Sequence, residues 1–181
     1  ICTNPCAEVP LEDGGACNLG SINLSRFVKD GFTPEASIDW DQLAESSETL
    51  VRFLDNVVTW NEDLNALPKQ RQAASETRRL GLGVMGIADM LNQLGVAYDS
   101  EQGTMMIEKV MEYITNASYQ ASSFIAKEKG ASSIFDEEAY MECPFVKEAL
   151  SEQTHNMIRK NGLRNIAIMS IAPTGSISNI V

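Results

Sequence analysis

"RRLGLGVMGIADMLNQLG", residues 78–95, changes character halfway along, and that change sets the kind of fold. The stretch 79–84 is a short apolar run suited to a buried strand, whereas 86–94 reads as a helix that Gly95 closes. A strand that feeds a helix is the building unit of α/β architecture. Gly81, Gly83 and Gly86 also spell G-x-G-x-x-G, the fingerprint of a dinucleotide-binding turn. These glycines, however, lie within the strand itself, and no suitable βαβ unit surrounds them. Tight packing of strand against helix is the better account of them.

On either side of this stretch the chain is mostly helical. Asp39 is a suitable N-cap for a helix to about residue 64, with Leu43, Leu50, Leu54, Val57 and Val58 on one stripe and Pro68 ending the element. A long helix is predicted over about 100–129, stopped by Gly130. Its buried face is expected to carry Ile107, Val110, Met111, Ile114, Ala117, Ala121, Phe124 and Ile125, and Met105 and Met106 also read as core. Residues 131–145 look irregular around Pro144, and a further helix fits about 146–161, ended by Gly162. "NIAIMSIA", residues 165–172, is a β-branched apolar run that predicts a buried strand leading into "PTGSIS". Residues 1–35 are rich in breakers and read as loop.

The predicted fold class is therefore α/β and helix-rich, with too few strands to close a sheet on their own. That fits a piece of a larger α/β barrel, organised as a loop region (1–35), a mainly helical region (36–165) and a final strand and loop (166–181). Ile1 in place of a Met, and a finish at "SNIV" without a stop signal, also read as a segment of a larger protein.

Composition narrows the setting. With 181 residues and 44% hydrophobic side chains, the chain has the length of one domain and enough apolar material for a core. Fourteen Lys and Arg against 25 Asp and Glu give a net charge of −11 with no basic run, which argues against nucleic acid as a partner. No stretch has the apolar length of a membrane span, and none has the pattern of a signal peptide. Four cysteines in a chain of this size do not make a secreted disulfide scaffold, so a cytoplasmic location is expected.

The chemistry concentrates at the start. In "TNPCAEVPLEDGGACNLGSINL", residues 3–24, an amide (Asn4), a thiol (Cys6) and a carboxylate (Glu8) alternate. Side chains two apart share a face if the stretch is extended, and Pro5 favours an extended Asn4. The carboxylate can then serve as a general base, and the sulfur as nucleophile or one-electron carrier. Equally, Cys6 can be a small buried hydrophobe and Glu8 a surface charge. Cys2 and Cys6 have C-x₃-C spacing, but no second Cys/His pair completes a metal site. His155, the single histidine, lies in a polar stretch with no protease-like motif around it. At the other end, Pro173, Thr174, Gly175, Ser176 and Ile177 follow the predicted strand and are expected to open a helix. Unpaired N–H groups there would suit a phosphate, although Ser and Thr at such a place also merely cap helices.

"NPCAE" with "ACNLGSINL", "RRLGLGVMGIADML" at 78–91, "NGLRN" at 161–165 and "IAPTGSIS" at 171–178 occur in the order in which similar stretches occur in ribonucleotide reductase catalytic (large) subunits. The resemblance spans nearly the whole chain. It implies a fragment of the family's ten-stranded α/β barrel, which carries a central loop, and thiyl-radical reduction of ribonucleotides to deoxyribonucleotides for DNA synthesis. By that resemblance Cys6 becomes the thiyl radical that takes the ribose 3′ hydrogen, Glu8 takes the 3′-hydroxyl proton, and Asn4 hydrogen-bonds the substrate hydroxyls. Cys17, eleven residues after Cys6, matches the cysteine that donates electrons by forming a disulfide with a partner outside this chain. Residues 173–177 match the loop that grips the substrate phosphates, here by dipoles, since no basic residue lies in it. Cys2 and Cys143 match no functional position and read as structural. The "CNLGSINL" context is similar to that of adenosylcobalamin-dependent members, with a radical from a metal-containing small subunit as the alternative. A thioredoxin-type thiol reductant and the remainder of the catalytic subunit are the implied partners. No Arg-Gly-Tyr-like site points to a glycyl-radical enzyme. An inactive helical module that serves only assembly is the competing reading.

Overall fold

The computed structural model describes residues 2–181. The opening region holds more strand than its breakers suggest. β1 (Cys2–Thr3) and β2 (Pro10–Leu11) pair antiparallel, β3 (Asn18–Asn23) follows, and β4 (Val28–Lys29) pairs antiparallel with β5 (Ser37–Ile38). β3 reads as loop in the sequence because Asn18, Gly20 and Asn23 are poor strand formers. Its pairing with a distant strand overrides that preference.

Helix α1 (Trp40–Leu64) starts where Asp39 accepts a hydrogen bond from the Gln42 N–H. It buries Leu43, Val51, Leu54 and Val58, while Leu50 and Val57, expected on the stripe, are only half-buried. Pro68 opens α2 (Pro68–Thr77) instead of ending α1, since a proline lacking an N–H costs nothing in a first turn. β6 (Leu80–Met85) then runs parallel to β3 in register from Asn18↔Leu80 to Asn23↔Met85. On its other side lies the expected third strand, which proves irregular: Leu80, Leu82 and Ser170 donate to Ala167, Ile168 and Leu82 carbonyls, but the only bridge among the described residues is Leu82↔Met169.

The glycines of β6 serve this strand-to-strand contact, not the strand–helix packing that the sequence suggested. A Cβ on Gly83 would lie 2.3 Å from the Ser170 carbonyl oxygen, and one on Gly81 would lie 2.3 Å from Leu19 of β3. Gly86, at φ +71°, turns the chain into α3 (Ile87–Gln93).

Ser100 caps α4 (Glu101–Lys129) through the Gly103 N–H, and Gly130 ends it. Val110, Ile114, Ala117, Ala121 and Ile125 are buried as expected. Phe124 (51% exposed) and Met105 (63%) instead face outward, and Met106, Ile107 and Met111 are half-buried. The buried stripe is completed by small polar residues, Ser118, Ser122 and Ser123, which let α1 and the last helix approach α4 closely. The region expected to be irregular contains α5 (Glu137–Met141), and Pro144 opens α6 (Pro144–Ala149). Ser151 then caps a separate α7 (Glu152–Asn161), so the single helix expected over 146–161 is two.

A polar knot that no periodicity signals ties these layers together. Asp55, on α1, is fully buried; its Oδ1 accepts from Arg78 Nε at 2.9 Å and from Asn165 Nδ2 at 3.1 Å. Arg78 also donates to the Asp55 carbonyl and to Thr59 Oγ1, and pairs with Glu62. Asn165 further donates to the Arg78 carbonyl and accepts from Ser122 Oγ. The entrances to β6 and to the third strand are thereby fixed to α1 and α4. Removing one member of such a buried pair leaves the others charged or unpaired in the core. Asp55→Ala should therefore cost about 3–5 kcal/mol, a large part of the stability of a typical domain. Urea denaturation of the wild-type and variant proteins measures it, and a loss below about 1 kcal/mol would remove the knot from the account of stability.

Candidate active site

The loop from Asn4 to Val9 is a closed turn that β1 and β2 hold at its base, not an extended stretch. The Asn4 N–H donates to the Val9 carbonyl at 3.2 Å, and the Val9 N–H donates back to Asn4 Oδ1 at 3.0 Å. Ala7 sits at φ 63°, a left-handed conformation that costs a non-glycine residue about 1–2 kcal/mol. The alternating arrangement expected for Asn4, Cys6 and Glu8 is thus corrected. Asn4 uses its amide oxygen to close the loop and is not among the residues that line the cavity described next, whereas Cys6 and Glu8 both are.

That cavity, of about 560 Å³, brings Cys6 and Glu8 together with Pro173, Thr174, Gly175, Ser176 and Ile177. Its floor is the sheet: Leu19, Gly20, Ser21 and Asn23 come from β3, and Met85 from β6. Asn23 and Met85 are the last residues of their parallel strands, and residues 172–177 follow the third. The cavity therefore lies outside the carboxyl ends of the strands, where open α/β sheets generally bind ligands. The alternation of Leu19, Ser21 and Asn23 against buried Ile22 was the available sequence signal for these floor residues. It was hidden by the loop-like composition of the segment.

Glu8 is the only charged side chain in the lining. It is half-buried, and its Oε2 is enclosed without a hydrogen-bond partner. A buried acceptor in that state favours an incoming donor. Cys6 is exposed toward the cavity side of the loop.

The loop at 173–177 does not open the expected helix. Only a three-residue 3₁₀ turn, Ile177–Asn179, follows it. Ser178 and Asn179 donate to the Thr174 and Ser176 carbonyls, and their side chains both donate to the Gly175 carbonyl. The N–H groups of Thr174, Gly175, Ser176 and Ile177 donate to no acceptor among the described residues. Open donors along a tight turn can still hold an anion, without the dipole of a long helix. Thr174 has φ 58°, an outlier for a β-branched residue, so backbone strain sits on both walls of the cavity. Space around Gly175 is open, and close approach there needs no missing side chain.

Cys17 is not brought into the cavity lining. It precedes β3, half-buried, with its sulfur against the backbone of Gly81. Burial pushes its thiol up to about 11; the carboxylates of Glu8 and Glu12 push the same way, and Arg79 opposes them. Cys17 is thus held as a neutral thiol, not a thiolate, at neutral pH. All four cysteines are free, and Cys2 and Cys143 are exposed. Among the described residues no group of three or more His, Cys, Asp or Glu is placed to hold a metal ion, and no helix is long and apolar enough to cross a membrane.

The family model described as "Ribonucleotide reductase, barrel domain" matches residues 1–181. A vitamin B12-dependent ribonucleoside-diphosphate reductase of Thermoplasma acidophilum is 41% identical over 98% of this chain. The protein of the same description from Mycobacterium tuberculosis is 39% identical over 98%. The chain spans about a fifth of the length of these relatives, 20% and 22% respectively. A solved structure, the Actinobacillus ureae class Id ribonucleotide reductase alpha subunit, superposes with a TM-score of 0.63 at 27% identity, over 91% of this chain and 26% of that one.

Proposed function

Because this chain belongs to the ribonucleotide reductase barrel-domain family, we propose that it is the radical-bearing part of a catalytic subunit that reduces ribonucleotides to 2′-deoxyribonucleotides in the cytoplasm. The observation that carries the reading is the meeting of Cys6 and Glu8 with residues 173–177 in one nucleotide-sized cavity, across more than 160 residues of chain.

In this reading the substrate's phosphates accept from the open N–H groups of Thr174 to Ile177, which sets the ribose over Cys6 and Glu8. A thiyl radical on Cys6 takes the 3′ hydrogen, forming S–H as C–H breaks, and Glu8 accepts the 3′-hydroxyl proton. The unpartnered Oε2 of Glu8 supplies the acceptor for that proton. The 2′ hydroxyl leaves as water and a C–H bond takes its place. The two electrons and two protons come from the thiols of Cys17 and a partner cysteine elsewhere in the subunit, which close a disulfide, and Glu8 returns its proton to the 3′ oxygen. Returning hydrogen to the 3′ carbon regenerates the Cys6 radical, and a thioredoxin-type dithiol reduces the resulting disulfide. Asn4 holds the loop's shape through its amide oxygen, which accepts from Val9, and its Nδ2 donors are left to meet a substrate hydroxyl.

The radical's origin is proposed as adenosylcobalamin, from the description of two relatives, with a metal-containing small subunit as the alternative. A corrin ring with its adenosyl group is far larger than the 560 Å³ cavity, and the lining offers no imidazole. This cavity does not fit a cobalamin, and in this reading the remainder of the subunit contributes its site.

Glu8→Gln in the full-length subunit tests the proposal. The amide keeps the size of the side chain but cannot take the proton, so turnover should fall on the order of 10²–10⁴-fold with nucleotide affinity nearly kept. A change of less than about threefold, measured as deoxynucleotide formed per enzyme, would count against a general base at this position.

A further inference from the structure

We propose that the Ser170 hydroxyl is a positioning residue: it tethers the loop that carries Cys6 and Glu8 to the strand that leads into residues 173–177. Ser170 Oγ donates to the Glu8 carbonyl at 3.2 Å. Among the described residues this is the only hydrogen bond between residues 4–11 and the chain beyond residue 12. The base of the loop is weak on its own, since β1 and β2 pair over only two residues each. Apart from Ser170, the loop is held by the buried side chain of Val9 and, just beyond β2, by the ion pair of Glu12 with Arg79.

Ser170 is itself firmly placed. Its N–H donates to the Leu82 carbonyl at 2.9 Å, and its own carbonyl lies so close to Gly83 that β6 could carry no side chain there. It stands three residues before Pro173. One residue therefore has its backbone fixed to β6, its hydroxyl on the Glu8 backbone and its downstream neighbours at the far wall of the cavity. The tether sets the distance between the thiol–carboxylate pair and the anion-binding turn.

This inference rests on Cys6 and Glu8 as the reacting pair, and its test separates the two claims. The full-length protein is prepared with Ser170→Ala and Ser170→Thr, and backbone hydrogen exchange is followed by mass spectrometry. In Ser170→Ala, exchange in peptides covering 4–11 should quicken about two- to tenfold, the range that one neutral hydrogen bond supports, with β6 and 165–173 unchanged. The rate constant kcat should fall by a comparable factor with KM little moved, because the anion-binding turn keeps its own anchorage. Ser170→Thr, which retains the hydroxyl, should restore both. If the alanine variant does not fold, Ser170→Cys, equal in size and a weaker donor, gives the same comparison. Unchanged exchange at 4–11, or equal quickening in β6, overturns the tether. Wild-type protein without reductase activity would defeat the proposed function, while the exchange comparison would still decide the tether.

Discussion

Cys6→Ser in the full-length subunit is expected to abolish deoxynucleotide formation while leaving the fold intact. Cys6 is exposed on a loop whose own hydrogen bonds run through Asn4, Ala7 and Val9, so exchanging sulfur for oxygen breaks no contact that holds the loop. What is lost is chemical. An oxygen-centred radical is much harder to generate than a sulfur-centred one, and without it the 3′ hydrogen stays in place. Unlike the loss of a general base, this leaves no slower version of the same path. Chromatography of nucleotides after incubation with cofactor and reductant measures it, with circular dichroism as the folding control. Deoxynucleotide above background from this variant would remove Cys6 from the radical role.

Cys17→Ser should also end deoxynucleotide formation, but with a different product. The radical can still form on Cys6 and start the reaction, yet the 2′ position finds no electrons from its side. The substrate should then decompose, releasing free base and inactivating the enzyme. The geometry gives the alternative outcome a definite meaning. Cys17 lies outside the cavity lining, against Gly81, with its thiol pushed up to about 11. If it is only a half-buried apolar thiol, serine of nearly equal size should give normal product at the cost of a modest loss of stability. Full deoxynucleotide yield without base release would therefore assign Cys17 to packing and make its eleven-residue separation from Cys6 a coincidence.

Where the sequence could be read, local chemistry and periodicity agreed with the tertiary result. Asp39 caps α1 as expected because a short oxygen-bearing side chain before an apolar stripe has few other uses. β6 was legible as an apolar run, and the opening loop and 173–177 as clusters of groups with chemistry. Other features depend on distant partners and leave no local trace. β3 looks like loop until β6 pairs with it, and Asp55 looks like one more acid on a helix until Arg78 and Asn165 surround it. Asn4 misled in the opposite way: spacing put it on the face of Cys6 and Glu8, but an amide beside a tight turn is claimed first by the nearest N–H group. Pro68 reads as a terminator and Pro144 as part of an irregular stretch, when both are starters, because a proline bars helix on one side only.

The three adjacent strands at 18–23, 80–85 and 167–170 are separated by long helical excursions, and this has a consequence for biosynthesis. Local helices can form while the chain is still emerging, but each strand pairing must first close a long loop, which makes it a late event in folding. The wall at 173–177 can dock only after the last of these pairings. A nascent or truncated chain that already displays Cys6 therefore has nothing with which to hold a nucleotide beside it. Order of synthesis alone would keep the thiol and a bound nucleotide apart until the segment is finished, a safeguard suited to the radical role proposed for Cys6.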